Sequence, residues 1–399
     1  MTTRIAVVGA GGIAQAVHLP ILQRNRGRAA LVALVELSPH RRNLVAGRYG
    51  IPDAARFATT TELVAAIGSG AIAVDAAILA TSGLHCADVT ALLGAGLTVL
   101  SEKPLAYSLS ELDDLERFAE VRGIDLAGRL RIGYMKEYDP AVVEARQLLK
   151  KLSVRAVTIE VLHPADDRQL EFARLLPAET DLPQEAITAA GTRMAAVLTE
   201  ALGEAPEDLR RTYSSVVLGS IVHDIALLRT LGFALETVTQ ATRWTDSFPG
   251  SITATGTTSG GTVPWQLGWH FIGGYPEYAE TVTFHHEAGT LQLQFPTPYL
   301  LNAPTRLRTE AASSRLGRTS TDQLWPQEEA FERELFALLD LAEGRAAPGS
   351  SVGEARADLI TAQLLHQALA ASSRPRTDAV SEINRLEGDA AEAATSGHH

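Results

Sequence analysis

The run IAVVGAGGIA, residues 5–14, constrains this chain more than any other stretch. Apolar, strand-forming residues end in a cluster of glycines and a helix-forming segment follows, the setting in which a glycine fingerprint carries meaning. Gly9 permits a tight turn, and Gly11 lets the backbone come close to a pyrophosphate. Gly12 and Ile13 open a helix whose unpaired N–H groups and positive dipole end attract an anion. Glu36 closes the next predicted strand, where a carboxylate takes both ribose hydroxyls of NAD and repels the 2′-phosphate of NADP. Ser38, Arg41 and Arg42 follow closely and are able to receive such a phosphate, so NAD is expected and NADP stays open.

Short apolar runs at 5–8, 31–36, 73–80 and 98–100, with a weaker one at 124–127, alternate with helical periodicity at 13–24, 39–49, 61–67, 85–95 and 110–121. Strand, helix, strand in repetition predicts a doubly wound parallel sheet of the Rossmann type. Beyond residue 150 the pattern changes. Strands are predicted at 154–162, 238–245, 251–257, 262–271, 278–285 and 290–294, and tight turns between neighbours specify a large, mostly antiparallel open sheet. The fold class is therefore α/β followed by α+β. A dinucleotide-binding domain is expected at 1–130 and a substrate-binding and oligomerisation domain at 131–374, with a mobile tail at 375–399. The final helices, about 328–372, are expected to pack back toward the first domain.

With 35 basic and 47 acidic residues the formal charge is -12, and no basic cluster stands out. That argues against a nucleic-acid partner, which would require phosphate neutralisation. The single cysteine, Cys86, excludes an intrachain disulfide framework and suggests a reducing compartment. No apolar run reaches about 18 residues and no signal-peptide pattern opens the chain. The expectation is a cytoplasmic protein without a membrane partner. His285-His286 lacks further ligands at metal-binding spacing, so no metal is predicted.

Glu102-Lys103-Pro104 would mean little alone, but it sits at the C-terminal end of a predicted parallel strand, where ligands gather in a doubly wound sheet. With the glycine turn, ATSGLH (80–85), GYMKEYDP (133–140), HDIALLRTLG (223–232) and FERELFALLDLAEGR (331–345), the chain resembles the Gfo/Idh/MocA family of NAD(P)-dependent oxidoreductases from residue 5 to about 372. The resemblance implies an active site in the cleft between the domains. It implies that Lys103 lies beside the nicotinamide and bonds the substrate oxygen, a task suited to a buried lysine of depressed pKa. It brings Thr81, His85 and Glu102 near the cofactor, although His85 is equally suited to capping a helix. His223 matches the family's catalytic histidine, with a near-neutral pKa for accepting the hydroxyl proton. One position departs. Many members carry an aspartate four residues before this histidine, and here that position is Gly219. Asp224, about 100° further round an α-helix, cannot simply replace it, and is assigned to the substrate side. Either the relay uses His223 and Lys103 alone, or the substrate needs the room at Gly219, or hydride transfer has been lost.

Lys136 and Tyr138 are the remaining substrate candidates. Trp265 and Trp269 share one face of a predicted strand, and are expected at a homo-oligomer interface formed by the C-terminal sheet in preference to stacking on a sugar. The helical stretch 169–211 is expected to cover the cleft. The leading function is hydride transfer between nicotinamide and a secondary alcohol or ketone of a sugar, amino sugar or cyclitol. The alternatives are an enzyme that retains and recycles its NAD, and a non-catalytic NAD-sensing regulator.

Overall fold

Parallel strands buried on both faces read as unbroken apolar runs, and β1 (Thr3–Val8) is one. In the computed structural model, which describes residues 2–165, 170–173, 175, 181–244, 247–313 and 317–372, Ile5 and Val7 face a layer containing Leu19, Leu22 and Val45. Ala6 and Val8 face the opposite layer, with Val89, Leu92 and Leu115. The tail expected at 375–399 lies outside the described residues.

The first sheet has the order β3-β2-β1-β4-β5-β6, all parallel. Its other strands are β2 (Ala29–Val35), β3 (Arg56–Phe57), β4 (Ala76–Leu79), β5 (Thr98–Glu102) and β6 (Leu130–Gly133). Between them run α1 (Leu19–Arg24), preceded by a π-helical turn at Ala14–His18, α2 (Pro39–Tyr49), α3 (Thr60–Gly68), α4 (Cys86–Gly94) and α5 (Leu109–Arg122). This is the doubly wound sheet read from the sequence, with one correction. The weak strand expected at 124–127 is instead the approach to a one-turn helix, α6 (Leu126–Arg129), which Asp125 caps by accepting from the Ala127 amide at 3.0 Å. Leu130 and Ile132, both fully buried, form the sixth strand in its place.

A short 3₁₀ turn (Met135–Tyr138) and α7 (Pro140–Leu149) lead to the second sheet. Its strands are β7 (Val154–His163), β8 (Leu235–Trp244), β9 (Ser251–Thr258), β10 (Pro264–Phe271), β11 (Ala279–His286), β12 (Gly289–Phe295), β13 (Arg306–Ala312) and β14 (Arg318–Gln323). The order is β14-β13-β12-β11-β7-β10-β9-β8, antiparallel except for the β7–β10 pair. The last two strands escaped sequence reading because arginine, threonine and acidic residues dominate them; β14 is exposed throughout, as suits an edge strand that must not recruit another chain.

Helices α8 (Gln184–Leu202) and α9 (Glu207–Arg211) precede a π-helical segment, Thr212–Ile221, that runs into α10 (Val222–Leu231). The continuous helix Glu207–Leu231 is long and apolar enough to cross a membrane by length and composition, and 61% of its apolar window is buried inside the protein. It packs against the inner face of the second sheet, where the Trp265 and Trp269 side chains lie 2% and 3% exposed. That corrects the interface assigned to these indoles: both belong to the subunit's own core, and the Trp269 Nε1–H donates to Ser220 Oγ at 2.9 Å. Of the closing helices, α11 (Ala330–Ala342) lays Leu335, Leu338 and Leu339 on the first sheet. By contrast α12 (Val352–Ser372) packs chiefly against β8 and α10 and only touches α5 and β6.

Candidate active site

The C-terminal ends of β1, β2, β4 and β5 open onto a cleft of ≈ 1430 Å³ whose far wall comes from the second sheet. A volume above the ~300–1,000 Å³ usual for one small ligand leaves room for two. Gly9 has φ +94°, and a Cβ there would stand 2.7 Å from the carbonyl carbon and oxygen of Ala80, so only glycine lets the β1 turn pass this close to the end of β4. A Cβ on Gly11 would meet nothing within 4 Å among the described residues. Gly11, Gly12 and Ile13 line the cleft, where first-turn amides lack partners within a helix. Glu36 accepts from the Ala10 amide at 2.9 Å and the Ser38 amide at 3.0 Å, which still leaves carboxylate lone pairs for hydroxyls. Thr81 Oγ1 is buried beside this turn without a partner among the described residues. An orphaned hydroxyl, a glycine turn and a helix start together fit a dinucleotide.

Two expected cofactor residues do not face the cleft. Ser38 is fully buried as the N-cap of α2, accepting from the Arg41 amide at 3.0 Å and donating to Asp181 Oδ1 at 2.7 Å. His85 points its Nδ1 at the Pro104 carbonyl and its Nε2 at the Thr81 carbonyl, both at 2.8 Å, and so ties the loop after β4 to the loop after β5. Arg41 does line the cleft, its guanidinium 3.9 Å from Glu36 Oε2.

At the end of β5, Glu102 pairs with His18 Nε2 at 2.8 Å and projects Lys103 across the cleft. The Lys103 Nζ donates to the main-chain carbonyl of Gly219. Gly219 lies in the π-helical segment, whose i→i+5 bonding widens the turn. The expected stacking of position 219 one α-turn before His223 therefore does not hold, and the carbonyl of residue 219, not its side chain, meets the lysine. Burial pushes the Lys103 ammonium down to about 8, with Lys136 adding to the shift and Glu102 opposing it. His223 also lines the cleft. Burial, then the charges of Lys103 and Lys136, hold it well below the ordinary histidine range, and its Nδ1 has no partner among the described residues. The near-neutral value expected from the sequence is thus shifted downward by the surroundings of this histidine.

Lys136 is 6% exposed and donates to Glu280, whose other oxygen accepts from the Tyr278 hydroxyl at 2.6 Å. The Lys136 Nζ also stands 4.7 Å from the Phe295 ring centre, within cation–π reach. Asp224 lies behind this group, Oδ1 3.8 Å from Lys136 Nζ. Burial and the Glu280 charge raise its carboxyl well above the usual range, with Lys136 opposing them. It supports Lys136 and does not line the cleft, contrary to its assignment to the substrate. Tyr138 is also turned away, its hydroxyl donating to the Pro348 carbonyl at 3.2 Å. Ala186, Ala190, Gly191 and Met194 of α8 line the cleft.

A family model described as "Oxidoreductase family, NAD-binding Rossmann fold" (Gfo/Idh/MocA) matches residues 3–127, the segment that builds the glycine turn, Glu36 and Lys103. This N-terminal domain belongs to the Gfo/Idh/MocA family. Similar proteins include inositol 2-dehydrogenase 3 of Saccharopolyspora erythraea, 31% identical over 150 residues, which are 37% of this chain and 41% of that protein. The putative UDP-kanosamine synthase oxidoreductase subunit of Amycolatopsis mediterranei is 31% identical over 154 residues, 37% of this chain and 40% of its own. The chain thus spans well under half the length of these relatives. Among solved structures, UDP-N-acetylglucosamine 3-dehydrogenase from Acidithiobacillus ferrooxidans has a TM-score of 0.65 at 19% identity, over 94% of this chain and 100% of that one. For scyllo-inositol dehydrogenase from Lactobacillus casei, solved with NAD(H) and scyllo-inositol, the values are 0.63, 17%, 92% and 97%. The fold shared with these two structures therefore extends over both sheets.

Glu280 and Tyr278 went unread in the sequence. The signal was present: Glu280 is in phase with Val282 and Phe284 on a strand of period two, all three buried. A carboxylate on the apolar face of a strand needs a buried cation, and Lys136 is that cation here.

Proposed function

We propose that the protein is an NAD-dependent oxidoreductase acting on a secondary alcohol, or the corresponding ketone, of a sugar, amino sugar or cyclitol. The observation that carries this reading is Lys103, held by the Gly219 carbonyl in the cleft that also contains the glycine turn and His223. Bound NAD would supply the hydride acceptor. Lys103, with its ammonium near 8, takes the hydroxyl proton in its amine form and returns it in the reverse direction. His223 orients the oxygen, and Lys136 with Glu280 and Tyr278 provides donors and acceptors for neighbouring hydroxyls.

The test is NADH formation with NAD and a panel of inositols, sugars, amino sugars and nucleotide sugars. Alcohol oxidation should rise with pH and level off above about 8, as the amine form of Lys103 fills. Lys103→Ala should lower turnover by roughly 10²–10⁴. A variant that keeps near wild-type rate sinks the assignment. Silence across the panel, with nucleotide retained through purification, would favour a recycled cofactor.

A further inference from the structure

The N-terminus of α2 is already occupied by an anion that belongs to the protein. Asp181, carried by the segment that enters α8, lies 143 residues from Ser38 in the chain, yet accepts from Ser38 Oγ at 2.7 Å and from the His40 amide at 2.9 Å. Pro39 has no N–H to offer, the Arg41 amide donates to Ser38 Oγ and the Arg42 amide to the Ser38 carbonyl. These donors of the first turn are therefore committed. The same Ser38 gives its amide to Glu36 and its hydroxyl to Asp181, so the two carboxylates flank one residue. The bonds from Ser38 and His40 hold the Asp181 carboxyl below its usual value, keeping it ionised.

In a doubly wound sheet the carboxylate closing the second strand takes the adenosine ribose, and a 2′-phosphate on that ribose reaches the turn just beyond it. Here that turn is Ser38–His40–Arg41. We propose that Asp181 is a second NAD-selecting carboxylate, supplied from outside the first sheet by the segment that enters α8, which fills the place a 2′-phosphate would take and repels it. The inference rests on the dinucleotide reading of the cleft. It gives NADP two obstacles: Glu36 at the ribose, and Asp181 at the helix end whose amides and Ser38 hydroxyl a phosphate would otherwise use. Removing Glu36 alone leaves the second obstacle standing.

The test measures dissociation constants of NADH and NADPH, by their own fluorescence, for the full chain carrying Asp181→Asn, Glu36→Ser and both. Asp181→Asn preserves shape and removes the charge. The ratio of the NADPH to the NADH constant should fall about three- to tenfold, more at low ionic strength because the group is exposed. The same fall should recur in the Glu36→Ser background, where the ribose carboxylate cannot mask it. An unchanged ratio in both backgrounds, or one that falls only because NADH weakens, overturns the role of Asp181. Wild type binding NADPH as tightly as NADH overturns it too, while leaving a dinucleotide site in place. Wild type binding neither nucleotide overturns the cofactor reading, and this inference with it.

Discussion

Two lysines line the cleft, Lys136 buried and Lys103 half-buried, and they are treated differently. Lys136 has a carboxylate, Glu280, in direct contact, whereas Lys103 rests on a neutral carbonyl at Gly219. A cation without a carboxylate in direct contact gives up its proton more readily, in line with burial and Lys136 pushing the Lys103 ammonium down to about 8 against the pull of Glu102. The Lys136–Glu280 pair tests the other half of this contrast. Removing one partner strands a buried charge and typically costs about 3–5 kcal/mol, whereas replacing both with apolar residues is often close to neutral. Lys136→Met and Glu280→Leu should each lower the urea midpoint strongly, and the double variant should recover most of the loss. Additive losses in the cycle would show that the two side chains are not coupled.

At the scale of an element, the β1 turn separates folding from binding by two residues. Gly9→Ala forces a Cβ into the Ala80 carbonyl at a φ of +94°, and should destabilise the protein by more than about 1 kcal/mol. Gly11→Ala meets no atom of the described residues within 4 Å, so it should melt like wild type while weakening NADH binding, because the new methyl enters the space a pyrophosphate needs. Thermal melts beside NADH titrations check both; a Gly11→Ala protein that binds normally would argue against the phosphate cradle. The π-helical segment works at the same scale. Its wider turn brings the Gly219 carbonyl to Lys103, which α-helical spacing did not predict.

Across the whole molecule, one hydrophobic cluster runs from Val89 and Leu112 beside the first sheet through Tyr213 and Leu228 to Trp265 and Val282 in the second. The chain closes the opposite face with α11, whose Leu338 is fully buried beside Ile78 and Leu100 of the first sheet. A helix from the end of the chain thus completes a sheet begun at its start. Leu338→Ala should cost about 2–5 kcal/mol, read as a lower denaturation midpoint. A loss under about 1 kcal/mol would mean that this helix is not integral to the first domain's core.

The doubly wound sheet, the glycine turn, Glu36 and the position of Lys103 were legible in the sequence because each depends on neighbours a few residues away or on the period of a single strand. The substrate end was not. Glu280 meets Lys136 across 144 residues, Gly219 meets Lys103 across 116, and Asp181 meets Ser38 across 143. Tyr138 and His85 carry suitable chemistry in suitable motifs, yet spend it on the carbonyls of Pro348, Pro104 and Thr81. Local pattern determined which strands form and where a dinucleotide can lie. Which side chains face the cleft, and which are consumed holding it open, only the packing of distant segments decided, because a buried polar group takes the partner that tertiary contact brings to it.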